Sequence, residues 1–552
     1  MLNQSLRLTL ALVLGLNALP SSAKKPSQYF QVTGSGTPTS LSVTACLNAE
    51  IQIGCQNYKV KGTNLSIKTN IPGHTYRSAG VKVNTVNYVA TGCTSSVNGY
   101  CMFAAQNTSA KTVEVVPTST STPTLTAVGA LSAAKPRMIP SGPDITPLIG
   151  TSTDGGLNWS TTDLSPIQGQ FRTTSCTGAG SNTVCISGGE QRSEDSISSL
   201  AYISVGGRAW SPINSLDAIP NQVFQAASCT GSGTSAVCAL GVNFPYVKIR
   251  ISDTIKREPA SFLYLSQNGG ALWKEVSLPN TSGEAISALS CTGTGDQALC
   301  AALAGDALYF SNPISTNWSG NSSNDIHYLG SLSCTGSGAS AVCAVTGITD
   351  EKVPGYFMSI DGGASWMSGA LPIPYNYKNK IAIRDPVFPV FCQGSSPTES
   401  CLAAFDAQIV RWTRTTDWTL ASLNQPAGTY GKFLSISCTT DGSLCVAAGG
   451  DSDQGTPLLY QSKDKGENWS KVTVSGINVM GLNSVSCTGS GGTAICLVGS
   501  DMLGRENLNK NQKLFDNSLP APLYITRDGG AIWSPVPSDG RIGVFSAVSA
   551  GQ

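Results

Sequence analysis

Cysteine is the residue type whose spacing in this chain first suggests chemistry. The sequence contains 18 cysteines that fall into nine short pairs, most of them separated by eight residues. Zinc sites favour separations of about two to four residues, commonly with histidine, and this chain has only 2 histidines. The spacing therefore predicts disulfides and an oxidising compartment rather than a metal site. The predicted pairs are Cys46–Cys55, Cys93–Cys101, Cys176–Cys185, Cys229–Cys238, Cys291–Cys300, Cys334–Cys343, Cys392–Cys401, Cys438–Cys445 and Cys487–Cys496.

A second recurring pattern reads Ser/Thr-x-Asp/Asn-x-Gly-x-x-Trp. We call its five good copies the tryptophan turns: Ser152–Trp159, Ser266–Trp273, Ser359–Trp366, Ser462–Trp469 and Thr526–Trp533. Between antiparallel strands, the acidic side chain of such a turn accepts backbone N–H bonds, glycine permits a positive φ and the tryptophan ring covers the turn. The residues predicted for these roles are Asp154, Trp159, Asn268, Trp273, Asp361, Trp366, Asp464, Trp469, Asp528 and Trp533.

Three further copies of this pattern are degenerate. They end at Trp210, Trp318 and Trp418, and their acidic positions hold Val205, Pro313 and Thr413. Because each acidic residue lies in a turn of its own, no two should meet. We therefore predict that the pattern builds turns and forms neither a catalytic centre nor a calcium site.

The cysteine pairs and the tryptophan turns alternate along the chain, which predicts a four-stranded antiparallel unit with strands A, B, C and D. Seven units are complete. For an eighth, Leu125–Leu131 matches strand B with Thr126 in the cysteine position, and Val544–Gln552 matches strand A with Ala550 in that position. The sequence therefore predicts an all-β chain with an eight-bladed β-propeller over residues 125–552, closed by residues 544–552.

The tryptophan turns resemble the Asp-box, also called the BNR repeat, of the sialidase and sortilin-like propeller superfamily. The resemblance is at the level of the family and covers most of the chain after Pro117. Its members include sialidases, other glycoside hydrolases, sortilin-type receptors and photosystem assembly factors. The resemblance implies a propeller but does not decide among these functions.

The residues before the propeller predict export and a separate domain. Residues 1–23 have Arg7, an apolar run and a small-x-small ending at Ala23, as in a signal peptide of a bacterial exported protein. Residues 24–117 are predicted to form a β-sandwich with two disulfides, and residues 118–124 a linker. The alternative is that Cys46 and Cys93 mark two more blades of a larger ring.

Ligand binding is expected on the B–C and D–A connections, because variable loops on a rigid scaffold commonly carry binding residues. Aromatic side chains beside cations suit a sugar, an acidic ligand or a protein partner. The candidates are Tyr246, Arg250, Tyr375, Tyr377 and Arg384. The alternative is that these loops simply pack on one another.

A formal net charge of +1 provides no global field for nucleic acid, and two histidines with no unpaired cysteine disfavour histidine-based or thiol-based catalysis. No cofactor is expected, and no apolar run after residue 23 is long enough to span a bilayer. The leading hypothesis is an exported, non-catalytic protein that binds a glycan or a protein outside the cell or at its surface. The alternatives are a glycoside hydrolase, which needs two carboxylates across a cleft, and a periplasmic assembly factor. Catalytic residues and the oligomeric state stay open.

Overall fold

The computed structural model confirms that the chain is all-β. It describes residues 41–46, 55–60, 64–67, 79–84, 88–91, 95–97, 100–103, 111–117, 123–132, 145–193, 196–207, 209–243, 261–279, 281, 284–312, 314–321, 326–373, 388–423, 431–451, 456–473, 481–500, 523–536 and 543–551. Within these ranges the helices are short 3-10 turns: Gly180–Asn182, Gly233–Ser235, Gly295–Gln297, Gly338–Ser340 and Gly491–Thr493. The chain divides into two compact units, residues 1–120 and 121–552.

The first unit contains two antiparallel sheets among its described residues. Its strands, numbered in chain order, are β1 (Leu41–Cys46), β2 (Gln56–Val60), β3 (Asn64–Ile67), β4 (Ala79–Val83), β5 (Tyr88–Thr91), β6 (Ser95–Val97), β7 (Tyr100–Phe103) and β8 (Lys111–Pro117). One sheet has the order β2-β1-β4-β7-β6 and the other β3-β8-β5. The Cys46–Cys55 disulfide is present, whereas Cys93 lies outside the described residues.

The described residues of the second unit form eight sheets, which we number 1 to 8 along the chain. The four antiparallel strands of each sheet are called A to D in the order of pairing. Sheet 1 contains β41 (Gly543–Ala550), β9 (Leu125–Ser132), β10 (Ile145–Ser152) and β11 (Ser160–Asp163), and sheet 2 contains β12 (Gly169–Thr177), β13 (Val184–Arg192), β14 (Ile197–Val205) and β15 (Ser211–Pro212). Sheet 3 contains β16 (Val223–Thr230), β17 (Val237–Asn243), β18 (Phe262–Ser266) and β19 (Lys274–Ser277). Sheet 4 contains β20 (Ile286–Thr292), β21 (Leu299–Ala304), β22 (Ala307–Ser311) and β23 (Ser319–Asn321).

Sheets 5 to 8 follow the same plan. Sheet 5 contains β24 (Ile326–Thr335), β25 (Val342–Thr349), β26 (Pro354–Ser359) and β27 (Met367–Ala370), and sheet 6 contains β28 (Val390–Gln393), β29 (Ser400–Phe405), β30 (Gln408–Thr413) and β31 (Thr416–Leu420). Sheet 7 contains β33 (Lys432–Cys438), β34 (Cys445–Asp451), β35 (Thr456–Ser462) and β36 (Asn468–Lys471). Sheet 8 contains β37 (Leu482–Thr488), β38 (Ile495–Ser500), β39 (Leu523–Thr526) and β40 (Ser534–Pro535). Sheet 7 gains a fifth strand, β32 (Ser422–Leu423), which pairs in parallel with β36.

Each A–B hairpin of sheets 2 to 8 is closed by a disulfide, as predicted. The paired cysteines lie directly opposite each other, with Cα atoms 4.0–4.1 Å apart. A Ser-Cys-Thr-Gly segment leads into most of these hairpins, and its glycine has a positive φ, for example 81° at Gly231. A residue with a side chain would be strained there, which explains why the turn uses glycine.

Sheet 1 takes its strand A from the far end of the sequence. Strand β41 pairs antiparallel with β9, and Ala550 lies opposite Leu125. The prediction that Thr126 occupies the cysteine position is wrong by one residue, since Thr126 lies opposite Ser549. The prediction placed Gly129 at the position that Gly241 has in strand B of sheet 3. Gly129 faces Phe545, whereas in sheet 3 the residue that faces the corresponding Phe224 is Val242, one position after Gly241.

Apolar side chains join every sheet to the next. One cluster joins each pair of consecutive sheets, and the cluster of Leu497, Ile525, Leu125 and Phe545 joins sheet 8 to sheet 1. The A strands also contact each other from sheet to sheet, including β37 with β41 and β41 with β12. The sheets therefore form a closed circle around their A strands, which is the arrangement of a β-propeller.

A repeated side-chain hydrogen bond joins the A strands of neighbouring sheets. The serine before the cysteine position accepts a hydrogen bond from the backbone N–H of the cysteine position in the next sheet, at 2.8–3.1 Å. The acceptor and donor residues are Ser549 and Cys176, Ser175 and Cys229, Ser228 and Cys291, Ser290 and Cys334, Ser333 and Cys392, Ser437 and Cys487, and Ser486 and Ala550. Between sheets 6 and 7 the serine is replaced by Phe391. The serine of the repeated motif thus joins neighbouring sheets, a role that the sequence analysis did not assign.

Candidate functional site

The circle of sheets has two faces with different construction. The turn face carries the A–B hairpins and the C–D turns, and the loop face carries the B–C and D–A connections. The repeated motifs all lie on the turn face.

The tryptophan turns have the predicted internal bonding. At Asp154, the Ser152 hydroxyl and the Asn158 backbone N–H donate to the carboxylate at 2.7 and 2.9 Å. The Gly156 N–H donates to the Ser152 hydroxyl at 2.7 Å, and the indole N–H of Trp159 donates to the Gly156 carbonyl at 3.2 Å. Equivalent bonds from the Ser/Thr hydroxyl and from the backbone reach Asn268, Asp361, Asp464 and Asp528.

These carboxylates hold turns together. Burial raises the pKa of Asp154, Asp361 and Asp464, but the hydrogen bonds donated to each carboxylate outweigh this effect, so each pKa lies below its usual value. Among the described residues, no group of three or more His, Cys, Asp or Glu side chains could hold a metal ion.

Sheet 6 replaces the acidic turn residue with an ion pair. Glu399, whose side chain is fully buried, binds the guanidinium of Arg414 through both oxygens, at 2.7 Å from Nε and 3.2 Å from Nη2. Arg414 Nη2 also donates to the carbonyls of Ser340 and Ile360 in sheet 5, at 2.8 and 3.3 Å. The degenerate turn therefore remains tied to its neighbour by charge-assisted hydrogen bonds.

The five predicted ligand residues, Tyr246, Arg250, Tyr375, Tyr377 and Arg384, all lie outside the described residues. The structure instead places a cavity of about 520 Å³ on the loop face, beside sheet 4. Its lining residues are Thr281, Glu284, Ala304, Gly305, Asp306, Ala307 and Tyr309.

Two short connections and one strand build this cavity. Ala304–Ala307 is the B–C turn of sheet 4, and Thr281 and Glu284 belong to the connection that enters sheet 4 from sheet 3. Ser261 fixes this connection, because its N–H donates to the Thr281 hydroxyl at 2.8 Å and its hydroxyl donates to the Glu284 carbonyl. Gly305 has a φ of +58°, and a Cβ there would lie 3.0 Å from the Cγ atom of Glu284.

The cavity is polar, and the buried Tyr309 lies at its inner side. Tyr309 in strand β22 is only 4% exposed. Burial raises the pKa of its phenol, so this group keeps its proton at neutral pH. The side chains of Glu284 and Asp306 supply two carboxylates, which are acceptors for hydroxyl groups. The sequence analysis missed this site because it considered the long loops, whereas the cavity forms from short segments that only folding brings together.

No protein-family model matches the chain, and a search of curated proteins finds no match. Among the solved structures it resembles are YCF48 from Cyanidioschyzon merolae (13% identity, 60% of this chain and 93% of that chain, TM-score 0.38) and the six-bladed β-propeller lectin of Aleuria aurantia (11% identity, 55% and 96%, TM-score 0.32). Another is the GH74 xyloglucanase from Xanthomonas campestris (10% identity, 93% and 95%, TM-score 0.31). The function proposed below is inferred from this chain's own residues.

No helix in the described part of the chain is both long and apolar enough to cross a membrane.

Proposed function

We propose that the protein is an exported, non-catalytic glycan-binding protein, and that its second unit is an eight-bladed Asp-box propeller. The closed circle of eight sheets and the five tryptophan turns support this architecture. The eight described disulfides are typical of an oxidising compartment, which supports export.

The observation that carries the proposed function is the loop-face cavity beside sheet 4. Sugar-binding sites use a few placed polar groups to bind hydroxyl groups, and the exposed carboxylates of Glu284 and Asp306 are such acceptors. The two carboxylates disfavour an anionic ligand, so the proposed ligand at this cavity is a neutral sugar unit. Tyr246, Arg250, Tyr375, Tyr377 and Arg384 stay proposed contacts on the same face.

A glycan array tests this function, with the full-length protein as the probe. Glu284→Gln and Asp306→Asn should each weaken binding by about tenfold, because each removes a charged acceptor for sugar hydroxyls. Glu351→Gln is the matched control, since Glu351 is an exposed acid in the B–C turn of sheet 5 on the same face. Absence of binding across the array, or equal binding by all four proteins, would contradict the proposal.

A glycoside hydrolase is the second candidate, because Glu284 and Asp306 share one cavity and this chemistry needs two carboxylates. The same proteins distinguish the two functions. Sugar release by the wild type that is lost in Glu284→Gln and in Asp306→Asn would establish hydrolysis. Binding without release supports the non-catalytic function.

We further propose that residues 1–23 are a signal peptide, residues 24–117 a β-sandwich and residues 118–124 a linker. The two antiparallel sheets described in the first unit support the sandwich. Cell fractionation tests the export, with the extracellular fraction or cell surface expected. Recovery from the periplasm would instead favour an assembly factor, and recovery from the cytoplasm would contradict export.

A further inference from the structure

A buried glutamate between two arginines lies on the loop face of sheet 2. The Glu190 side chain is 3% exposed. Its Oε2 accepts from Arg172 Nη2 at 3.0 Å, and its Oε1 accepts from Arg192 Nε at 2.7 Å and from Gln170 Nε2 at 3.1 Å. Gln170 and Arg172 are near the beginning of β12, and Glu190 and Arg192 are at the end of β13, so all four lie at the loop-face end of the sheet.

The four described side chains carry one positive charge in excess, because two guanidinium ions share one carboxylate, while the acids Glu194 and Asp195 follow Arg192 in the sequence and lie outside the described residues. The side chains of Arg172 and Arg192 are 34% and 28% exposed, so the cations border solvent while the anion does not. A ligand can therefore reach the guanidinium groups but not the Glu190 carboxylate.

The arginines also have hydrogen-bonding capacity to spare. Two guanidinium groups offer ten N–H donors, and three hydrogen bonds to Glu190 are formed within the described residues. Arg172 Nε is buried and has no hydrogen-bond partner in that part of the chain, so the donors open to a ligand are the remaining terminal N–H groups of the two arginines.

A β-bulge in strand β12 contains Arg172. The pairing of β12 with β13 shifts between Phe171 and Thr173, which leaves Arg172 as the extra residue. A bulge re-aims the side chain that it inserts. The A strands of sheets 1, 3, 4, 7 and 8 shift at the equivalent place. The inserted residues there are Ser546, Gln225, Ser287, Leu434 and Asn483.

The A strands surround the axis of the circle, so these inserted residues lie beside the central channel near the loop face. Among these inserted residues, Arg172 is the charged one. It lies two sheets away from the cavity of sheet 4.

We propose that Arg172 and Arg192 form a binding site for a carboxylate group at the loop-face mouth of the central channel. The planar fork of a guanidinium matches the two oxygens of a carboxylate. Glu190 is a positioning residue, because its carboxylate binds the guanidinium groups of both arginines. The site is separate from the neutral-sugar cavity.

Titration of the full-length protein with D-glucuronate tests this site, with D-glucose as the uncharged probe. Arg172→Gln and Arg192→Gln should each weaken glucuronate binding by about tenfold through loss of a charge-assisted pair. Arg411→Gln is the matched control, because Arg411 is an arginine of the turn face that pairs with Glu467. Triglycine, which ends in a free carboxylate, distinguishes a peptide source from a sugar-acid source.

The melting temperature of each variant confirms that it is folded, and Arg172→Lys keeps the charge but removes the fork. Weaker binding by folded Arg172→Lys supports bidentate recognition. Stronger binding of triglycine than of glucuronate assigns the carboxylate to a peptide. The proposal is overturned if the wild type binds neither carboxylate at millimolar concentration, or if Arg411→Gln weakens binding as much as Arg172→Gln. Loss of array binding at the sheet 4 cavity leaves this titration unaffected, so the two proposals fail separately.

Discussion

The two faces of the circle each contain a buried glutamate paired with arginine, and the two groups have opposite surroundings. On the turn face, Arg414 donates to Glu399 and to two carbonyls of the neighbouring sheet. On the loop face, Arg172 and Arg192 share Glu190, and Arg172 Nε has no described partner. Arg414 makes four hydrogen bonds to three residues, whereas Arg172 and Arg192 together make three, all to Glu190, within the described residues.

The same difference extends across both faces. The turn face consists of repeated motifs whose polar groups bond to each other, as in the tryptophan turns. The loop face has the cavity beside sheet 4 and the exposed arginines of sheet 2. Structural and binding groups can therefore be told apart by counting the acceptors that the protein itself supplies.

Removing residues 544–552 should have the largest effect of the changes considered, because it should lower both the stability of the circle and the binding at its loop face. The deletion takes away β41, which packs against β12 of sheet 2 and against the apolar cluster of sheet 8. Loss of several kcal/mol should lower the melting temperature by roughly 10 °C or more. It should also abolish carboxylate binding at Arg172. Calorimetry and the glucuronate titration measure both effects, and an unchanged melting temperature would mean that β41 does not close the circle.

Replacing each buried glutamate by glutamine compares the two groups directly. Glu399→Gln should cost about 3 to 5 kcal/mol of unfolding free energy, because it leaves the partly buried Arg414 without its charge partner. Glu190→Gln should cost only about 1 kcal/mol, because Arg172 and Arg192 can be hydrated. Denaturant unfolding measures both values. Equal losses would show that the two groups have the same structural role.

Removing one of the serine hydrogen bonds between A strands should lower the free energy of unfolding by a smaller amount than removing Glu399. These bonds lie between neighbouring A strands and belong to neither the turn face nor the loop face. Ser175→Ala removes the acceptor for the Cys229 N–H, which lies at 2.9 Å, and should cost about 1 kcal/mol. Ser235→Ala is the control, since Ser235 is exposed in the hairpin of sheet 3. Equal stability of the two variants in urea would show that these bonds contribute nothing measurable.

Acid should weaken the turn face gradually. The pKa values of Asp154, Asp361 and Asp464 are lowered in the folded protein, so their contribution is complete above the usual aspartate pKa of about 3.9 and is lost as the pH falls through the lowered values. Asp361→Asn should reduce the slope of melting temperature against pH below about pH 4. An unchanged slope would remove Asp361 from the acid response.

The motifs predicted the sheets well because each repeat is a local unit of hairpin, turn and strand. The prediction failed where it required comparison between units. The sequence prediction placed the cysteine position at Thr126 instead of Leu125, because it matched Gly129 to a glycine that does not face a phenylalanine. Gly189 and Gly449 do face a phenylalanine across the A–B pair, as Gly129 does, and matching to them would have given the correct register. The serine bonds and the cavity join residues far apart in sequence, so no local pattern indicated them.

The junction between sheets 6 and 7 differs from the others at both of its ends. At the axis, Phe391 has no hydroxyl to offer the next strand. At the rim, β32 pairs with β36, and Arg411 donates to the Lys465 carbonyl at 2.9 Å. This junction therefore lacks the serine bond near the axis and gains a strand pairing near the rim, while the Phe433 N–H still donates to the Asp406 carbonyl at 2.9 Å. Neighbouring blades of one ring can thus be held together by different sets of bonds, and a single lost serine does not open the circle.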